Sequence, residues 1–240
     1  MGSSLFRLWF VMWVVVTLGA CASRPVIPWG DDYFSASQPS CAWDEWTLPL
    51  PSLIPEGALA VSFMVDLVAE QPSLRSDRFW RCHFSAALYS MGERSLWPMA
   101  SDSEAYRFTW LPSFSALLTI RVERRGSVYV LHAEHLGGYR SALDAPSTRR
   151  SRLLLPSEWN EFQRKLKAFS FWTQSRRMSV PENFLGLDGA EWLLEGVQPG
   201  RYKAYLVWSP GEEGQGGAFR EACLYLLELS GLAIPPSDFY

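Results

Sequence analysis

The sequence contains none of the short motifs that carry a known catalytic or phosphate-binding mechanism. It has no G-x-S-x-G nucleophile elbow and no S-x-x-K pair, so neither a serine hydrolase nor a penicillin-binding activity is supported. The glycine-rich stretch 211–217 lacks the Lys-Ser/Thr pair of a phosphate loop, and its two glutamates repel phosphate. These absences favour a binding protein, or else an enzyme with an unfamiliar site.

Metal-binding side chains are also scarce. The three histidines are His83, His132 and His135. His132 and His135 are three residues apart in a segment with strand character, so their side chains should lie on opposite faces of a sheet. Because no second His/Cys pair has zinc-site spacing, the sequence predicts neither a metal site nor a cofactor.

No excess of positive charge points to nucleic acid. The net charge is −3, the pI is about 5.7, and both signs are interspersed. Nucleic-acid-binding domains usually show a basic face or a high pI, so we expect no nucleic-acid partner. Hydrophobic residues make up 48% of the chain, which is sufficient for one sizeable packed domain.

The longest uncharged apolar run, residues 8–18, is too short to cross a bilayer, which takes about 20 residues as a helix. It follows Arg7 and has the length of a signal-peptide h-region. The four residues that end it resemble the lipobox of bacterial lipoproteins: Leu18, Gly19, Ala20 and Cys21. We therefore predict a signal peptide at residues 1–20 and lipidation of Cys21. The alternative is an ordinary signal peptide followed by a chance cysteine.

Lipidation of Cys21 implies that the protein is stably anchored in a lipid bilayer, which is its first expected partner. A diacylglycerol thioether plus an N-acyl chain provides three acyl chains, well beyond the marginal anchoring of a single chain. An aspartate directly after the lipidated cysteine would resemble the inner-membrane retention signal of enteric-type bacteria, but this chain has Ala22 at that position. The predicted location is the bacterial cell envelope, on the periplasmic side of the outer membrane where the host has one.

After the signal peptide, composition suggests two regions. Residues 21–57 are rich in Pro, Ser and Asp and are expected to form a tether that becomes an extended wrap, and residues 58–240 form a single domain. Three cysteines remain for an oxidising compartment. Cys223 lies on the apolar side of the last predicted helix and is expected to be a buried thiol, which favours a Cys41–Cys82 disulfide.

The fold class predicted from periodicity is α+β. Asp188-Gly189 and Pro199-Gly200 flank the run 190–197, which is followed by 201–208, and together these predict a β-hairpin. Further strands are predicted at 59–65, 78–88, 106–111, 114–123 and 128–134, with 139–152 as a polar loop or edge strand. Two amphipathic helices, 157–169 with Ser157 as N-cap and 218–230 ending at Gly231, are expected to pack on this antiparallel sheet.

Several strings resemble a family of uncharacterised bacterial proteins, many of them lipoproteins. They are D-G-A-E-W-L-L-E-G from Asp188, with G-R-Y and W-S-P after it, P-S-E-W from Pro156, and C-L-Y-L-L-E-L-S-G-L from Cys223. The similarity covers 117–232. It implies no activity and no catalytic residue, and where such proteins often have Tyr-His this chain has Tyr202-Lys203.

Two polar residues stand out as functional or structural candidates, Asp188 and Glu195. Glu195 interrupts an apolar strand, and a buried carboxylate must be paired, so an Arg or Lys of the sheet is its expected partner. The leading hypothesis is a non-enzymatic lipoprotein that binds a protein or another envelope component. The alternatives are an anchored hydrolase or transferase using Glu195, His132 or Asp188, and a carrier of an apolar ligand.

Overall fold

The structure is a computed structural model that describes residues 40–41, 50–59, 74–113, 116–136, 147–173 and 189–234. All of these belong to one compact unit, Gln38–Tyr240. The predicted signal peptide, Cys21, Asp188 and the strand predicted over residues 60–65 lie outside the described residues. Within the described part of the chain, no helix is long and apolar enough to span a membrane.

A six-stranded antiparallel sheet forms the centre of the fold, and three helices accompany it. The helices are α1 (Leu74–Ser90), α2 (Pro156–Ala168) and α3 (Gly214–Ser230). A short pair is formed by β1 (Ser40–Cys41) and β2 (Leu50–Pro51). The main-sheet strands, in chain order, are β3 (Ser103–Pro112), β4 (Leu118–Arg125), β5 (Val128–Leu136), β6 (Ser147–Leu153), β7 (Ala190–Gln198) and β8 (Arg201–Trp208).

The order of strands across the main sheet is β6-β5-β4-β3-β7-β8. The predicted α+β class and the hairpins β4–β5 and β7–β8 are confirmed. For residues 139–152 the sequence left a polar loop and an edge strand as alternatives, and the structure shows an edge strand, β6, over seven residues. The late hairpin β7–β8 is added beside β3, so β3 pairs with β4, the next strand along the chain, on one side and with the distant β7 on the other.

The strand predicted over residues 78–88 is wrong, because this segment lies inside α1. Its letters alternate in polarity, but they also place Trp80, Phe84 and Leu88 four residues apart. Those three side chains are buried in one apolar cluster, which shows that the helical period governs the packing. The described residues therefore contain three helices where the sequence predicted two.

The other two helices were predicted, but α3 begins at Gly214, four residues before its predicted start and within the stretch expected to be a loop, and one cap is corrected. Helix α2 begins one residue early, at Pro156, and its N-cap is Leu155 rather than Ser157. The Glu158 carboxylate accepts a hydrogen bond from the Leu155 N–H at 2.7 Å, so the third residue of the helix satisfies the backbone donor of the cap residue. Gly231, with φ of 62°, ends α3 in the left-handed conformation, as predicted.

One face of the sheet, here called the aromatic face, packs against α2 and α3. Strand alternation puts Tyr106, Phe108 and Trp110 of β3 on this face, and rings from the helical side meet them. The Tyr106 ring lies 5.3 Å from that of Phe162 in edge contact. A Cβ at Gly196 would lie 2.5 Å from the Phe171 ring, so glycine is what allows the ring to pack on β7.

The opposite face is covered by α1 and by the segment 50–59. Asp77 at the start of α1 accepts hydrogen bonds from the backbone amides of Gly57 and Leu59, and forms an ion pair with Arg81 at 2.6 Å. The Ser85 hydroxyl accepts from the Leu53 amide at 2.9 Å. Side-chain groups of one helix thus hold the extended segment in place, which fixes the cover over this face.

Candidate functional site

Four charged or titratable side chains form a row across the face that lies beneath α1, here called the ionic face. The strand register pairs Glu195 of β7 with Arg107 of β3, Arg107 with Arg121 of β4, and Arg121 with His132 of β5. Directly paired residues of adjacent antiparallel strands project from the same face. The sheet therefore carries a continuous polar row between apolar clusters.

At the centre of the row, Arg107 and Glu195 form a bidentate ion pair. The Nε and Nη2 atoms of Arg107 donate to the two carboxylate oxygens of Glu195 at 2.7 and 2.8 Å. Both side chains are completely buried. Tyr202 donates its hydroxyl to Glu195 at 2.7 Å, so the expected arginine partner is present and a third residue completes the carboxylate's contacts.

Glu93, in the segment after α1, joins the two arginines of the row. Its carboxylate lies 3.3 Å from Nη1 of Arg107 and 2.9 Å from Nε of Arg121. Burial alone would raise the pKa of Glu93, but the charges of Arg121 and Arg107 lower it below its usual value. Burial alone would lower the pKa of Arg107, but the charges of Glu195 and Glu93 outweigh it and raise that pKa above its usual value.

The row reaches solvent through a third carboxylate, that of Glu123. Glu123 is buried and forms ion pairs with Arg121 and with Arg94, the latter at 3.0 Å, and Arg94 is 41% exposed. Arg107 also donates to the Arg94 carbonyl at 2.6 Å. Each charge of the central cluster therefore has an internal partner of opposite sign, and this arrangement is typical of a structural ion network.

Of the three residues considered for an enzyme, the two that the structure describes, Glu195 and His132, lie apart. His132 is separated from Glu195 by two intervening strands, about 14 Å at the usual interstrand spacing. The His132 Nδ1 atom lies 2.9 Å from the Ser151 hydroxyl, at the outer edge of the sheet. Burial and then the nearby Arg121 lower the pKa of His132. Asp188 lies outside the described residues.

Next to the ionic row lie polar groups without partners. Thr109 and Thr119 are paired across β3 and β4, and both are buried. Among the described residues, the hydroxyl of each threonine and the Oε1 atom of Glu134 have no hydrogen-bond partner. Unsatisfied buried hydroxyls carry a desolvation cost, so this part of the ionic face is stabilised less than the Arg107–Glu195 pair.

The cysteines agree in part with expectation. Cys82 on α1 is disulfide-bonded, and Cys223 on α3 is a buried free thiol whose pKa is raised by burial. The Cys41 side chain lies outside the described residues, so the Cys41–Cys82 pairing stays a prediction. A thiol with a raised pKa is a poor nucleophile, which is consistent with a packing role for Cys223.

Strand β6 is the most exposed regular element of the described chain. All seven residues from Ser147 to Leu153 are exposed, and among the described strands β6 pairs with β5 alone. The Leu154 amide donates to the Tyr129 carbonyl at 3.0 Å, which fixes the phase of the hydrogen-bond ladder. Antiparallel pairing alternates, so the backbone N–H groups of Arg149, Ser151 and Leu153 point away from β5.

Three arginines and no acidic residue occupy this strand. Arg149 forms an ion pair with Glu134 at 2.8 Å but stays 66% exposed. On the other face of the sheet, Arg150 donates to the Gly231 carbonyl and Arg152 to the Leu229 carbonyl, at the end of α3. Arg152 also forms a bidentate ion pair with Glu158, with both distances 2.9 Å. These contacts orient the guanidinium groups while leaving part of each accessible to a further acceptor.

An apolar edge adjoins the arginines of β6. Leu153 is 70% exposed and Leu155 is 63% exposed, and Val128 on β5 is 51% exposed. Large apolar side chains at such exposure are uncommon on a sheet edge that has no partner, because edges are usually protected. The edge strand thus combines free backbone groups, positive charge and apolar surface.

No protein-family model matches the sequence, and no curated protein matches it. The described residues also contain no group of three or more His, Cys, Asp or Glu side chains that could hold a metal ion. The similarity of the sequence strings to bacterial lipoproteins therefore stays a hypothesis.

The sequence indicated Glu195 but not its partners. Arg107 lies in a run where aromatic residues alternate with arginine and threonine, a pattern typical of a strand with one solvated face. Here that face is buried beneath α1, a segment whose alternating polarity predicts a strand of the sheet. With a strand predicted in place of α1, nothing in the sequence indicated that the charged residues of this face would be buried.

Proposed function

We propose that this chain is a lipid-anchored protein of the bacterial envelope that acts by binding another envelope component. The lipobox-like residues Leu18 to Cys21 support the anchor, and Ala22 supports the outer membrane as its site. The observation that carries the binding role is the exposed edge of β6. An unpaired edge strand offers backbone hydrogen bonds to an incoming strand, which is a common mode of protein recognition.

The geometry of the ionic face supports binding over catalysis. A catalytic carboxylate needs access to a substrate, whereas Glu195 is buried and bonded to Arg107 and Tyr202. The nearest histidine of the row is bonded to an edge serine instead. These contacts give Glu195 and Arg107 a structural role, and the exposed functional groups lie elsewhere.

Anchoring is tested by metabolic labelling with radioactive palmitate. The full-length protein should incorporate label and fractionate with outer membranes, whereas Cys21→Ser should do neither. Equal labelling of both forms, or recovery of the unmodified protein in the soluble fraction, contradicts the anchor.

Binding is tested by photocrosslinking in native membranes. A photoreactive residue at position 153 should give a discrete crosslinked species, and one at Lys167, which is exposed on α2, serves as the matched control. The crosslink should weaken in the Cys21→Ser background, since that form is not held near its partner. Absence of crosslinks from every exposed position, together with turnover of an envelope substrate, contradicts a binding role.

A further inference from the structure

We infer that the β6 edge binds an extended, acidic segment of another protein, which adds to the sheet as a seventh strand. This inference rests on the proposed binding function and specifies the partner's chemistry. The outward amides of Arg149, Ser151 and Leu153 alternate with residues bonded to β5, so the edge presents a regular row of backbone groups. Such a row is complementary to a strand and not to a helix.

Charge selects the partner's side chains. Within Ser147–Leu153 there are three arginines and no carboxylate, although the whole chain has a net charge of −3. Arg149 lies on the ionic face, while Arg150 and Arg152 lie on the opposite face. Glu134 pairs with Arg149 and Glu158 pairs with Arg152, whereas Arg150 has no ion pair among the described residues, so β6 together with these two glutamates carries one net positive charge. Acidic side chains of an incoming strand are therefore stabilised most beside Arg150 and beside the exposed part of Arg149.

A second copy of this chain fits the edge poorly. Pairing of two β6 strands would bring arginines of one copy beside arginines of the other, and like charges directly across a strand pair are destabilising. The same positive charge that discourages self-association favours an acidic partner. The edge is thus selective rather than simply blocked.

The arrangement of side chains predicts an order of residue types in the partner. In an antiparallel partner, an apolar residue lies beside Leu153, where Val128 and Leu155 extend the apolar surface. Acidic residues then lie beside Arg152, Arg150 and Arg149, with any small residue beside Ser151. From its N-terminus the segment reads apolar, acidic, small, acidic, acidic.

The test measures fluorescence anisotropy with the full-length lipoprotein in detergent micelles. The probe is a labelled peptide containing leucine, glutamate, serine and two glutamates in that order. The matched control has lysine in place of each glutamate and should bind about tenfold more weakly, since three opposite-charge contacts become like-charge contacts. Equal binding of the two peptides, or no binding of either, overturns the inference.

Backbone pairing is tested without changing the protein. N-methylation of the peptide amides that face β6 should reduce binding about tenfold, whereas N-methylation of the alternate amides should have a smaller effect. Equal effects of the two modifications would contradict strand addition. Equal effects of the two modifications are also expected if the arginines bind an anionic surface. Binding of the protein to phosphatidylglycerol vesicles tests this alternative.

A charge exchange identifies the contact residue. Arg149→Glu should weaken the acidic peptide about fivefold and should restore binding when the facing peptide residue is changed to lysine. Rescue separates a direct contact from loss of folding, and failure of rescue overturns the assigned register. If these peptides do not bind while crosslinks from other surfaces persist in membranes, the acidic-strand inference fails and the proposed binding function stands.

Discussion

The two faces of the central sheet are stabilised by different physics. On the aromatic face, Tyr106, Phe108 and Trp110 pack against rings and aliphatic side chains of α2 and α3. On the ionic face, the intervening residues of the same strand include Arg107 and Thr109, which are equally buried. Apolar burial is tolerant of exact geometry, whereas a buried ion pair stabilises only when each charge keeps its partner. One strand thus serves two kinds of core.

Removal of the central arginine should break the ionic face with the largest effect. Arg107→Met leaves Glu195 buried without its bidentate partner, and we expect the free energy of unfolding to fall by about 3 to 5 kcal/mol. Urea denaturation followed by circular dichroism measures this. Leu226→Ala on the aromatic face is the matched control, with an expected loss of about 2 to 5 kcal/mol from the cavity.

A second substitution distinguishes the loss of stability in Arg107→Met from that in Leu226→Ala. Adding Glu195→Leu to Arg107→Met removes the uncompensated carboxylate, so the double variant should be more stable than Arg107→Met alone by about 1 kcal/mol or more. A double variant that is less stable than either single variant would show that the pair is not the main contact of either residue. No comparable recovery is expected for Leu226→Ala.

The unpaired threonines offer a smaller change of opposite sign. Thr119→Val keeps the side-chain shape and removes a buried hydroxyl without a partner among the described residues, so stability should rise by about 1 kcal/mol. Ser85→Ala, which removes a hydroxyl bonded to the Leu53 amide, should instead lower stability by a similar amount. Thermal unfolding measures both. Destabilisation by Thr119→Val would contradict the absence of a hydrogen-bond partner for this hydroxyl.

The smallest expected effect is a pH dependence of folding stability that arises from His132, at the rim of the ionic face. Burial and the neighbouring charge of Arg121 lower the pKa of His132, with Arg94, Arg125 and Glu93 as the other charged groups that influence it. Below about pH 6.5 the unfolded state therefore binds more protons than the folded state, and stability falls as pH falls. His132→Gln should flatten this part of the curve.

Chemical denaturation at a series of pH values between about 5 and 8 measures the slope. Glu93, whose pKa is lowered, acts in a separate and more acidic window, because its stabilising charge is lost only as pH falls below the usual carboxylate range. A wild-type curve without slope near pH 6 would contradict the influence assigned to His132.

The parts of the fold that follow from the sequence are those fixed by local signals. Pro199-Gly200 determines the β7–β8 turn, and Gly231 ends α3 because its φ is positive. Helix α1 was missed because its alternating polarity also fits a strand, and only the packing of Trp80, Phe84 and Leu88 decides between them. Local periodicity cannot show which surface will cover a segment.

The ionic face depends on contacts that no local pattern contains. Glu195 was recognisable as a carboxylate in an apolar strand, but Arg107 lies 88 residues earlier and Glu93 belongs to another segment. Their meeting requires the register of β3 with β7, which is set by the packing of the whole sheet. A charged residue that alternates with aromatics therefore indicates a strand, while its partner becomes known only from the three-dimensional arrangement.

The position of β7 beside β3 has a consequence for how the protein is made. Residues 103–153 supply four adjacent strands, but β3 remains an open edge until Ala190–Gln198 has been synthesised and can pair with it. Contacts of such sequence separation form slowly, and uncovered strands are prone to aggregate while they wait. The nascent chain thus carries Arg107 with Glu93 but without Glu195 until residues 190–198 have been made, so β3 has to be protected from wrong pairing until then.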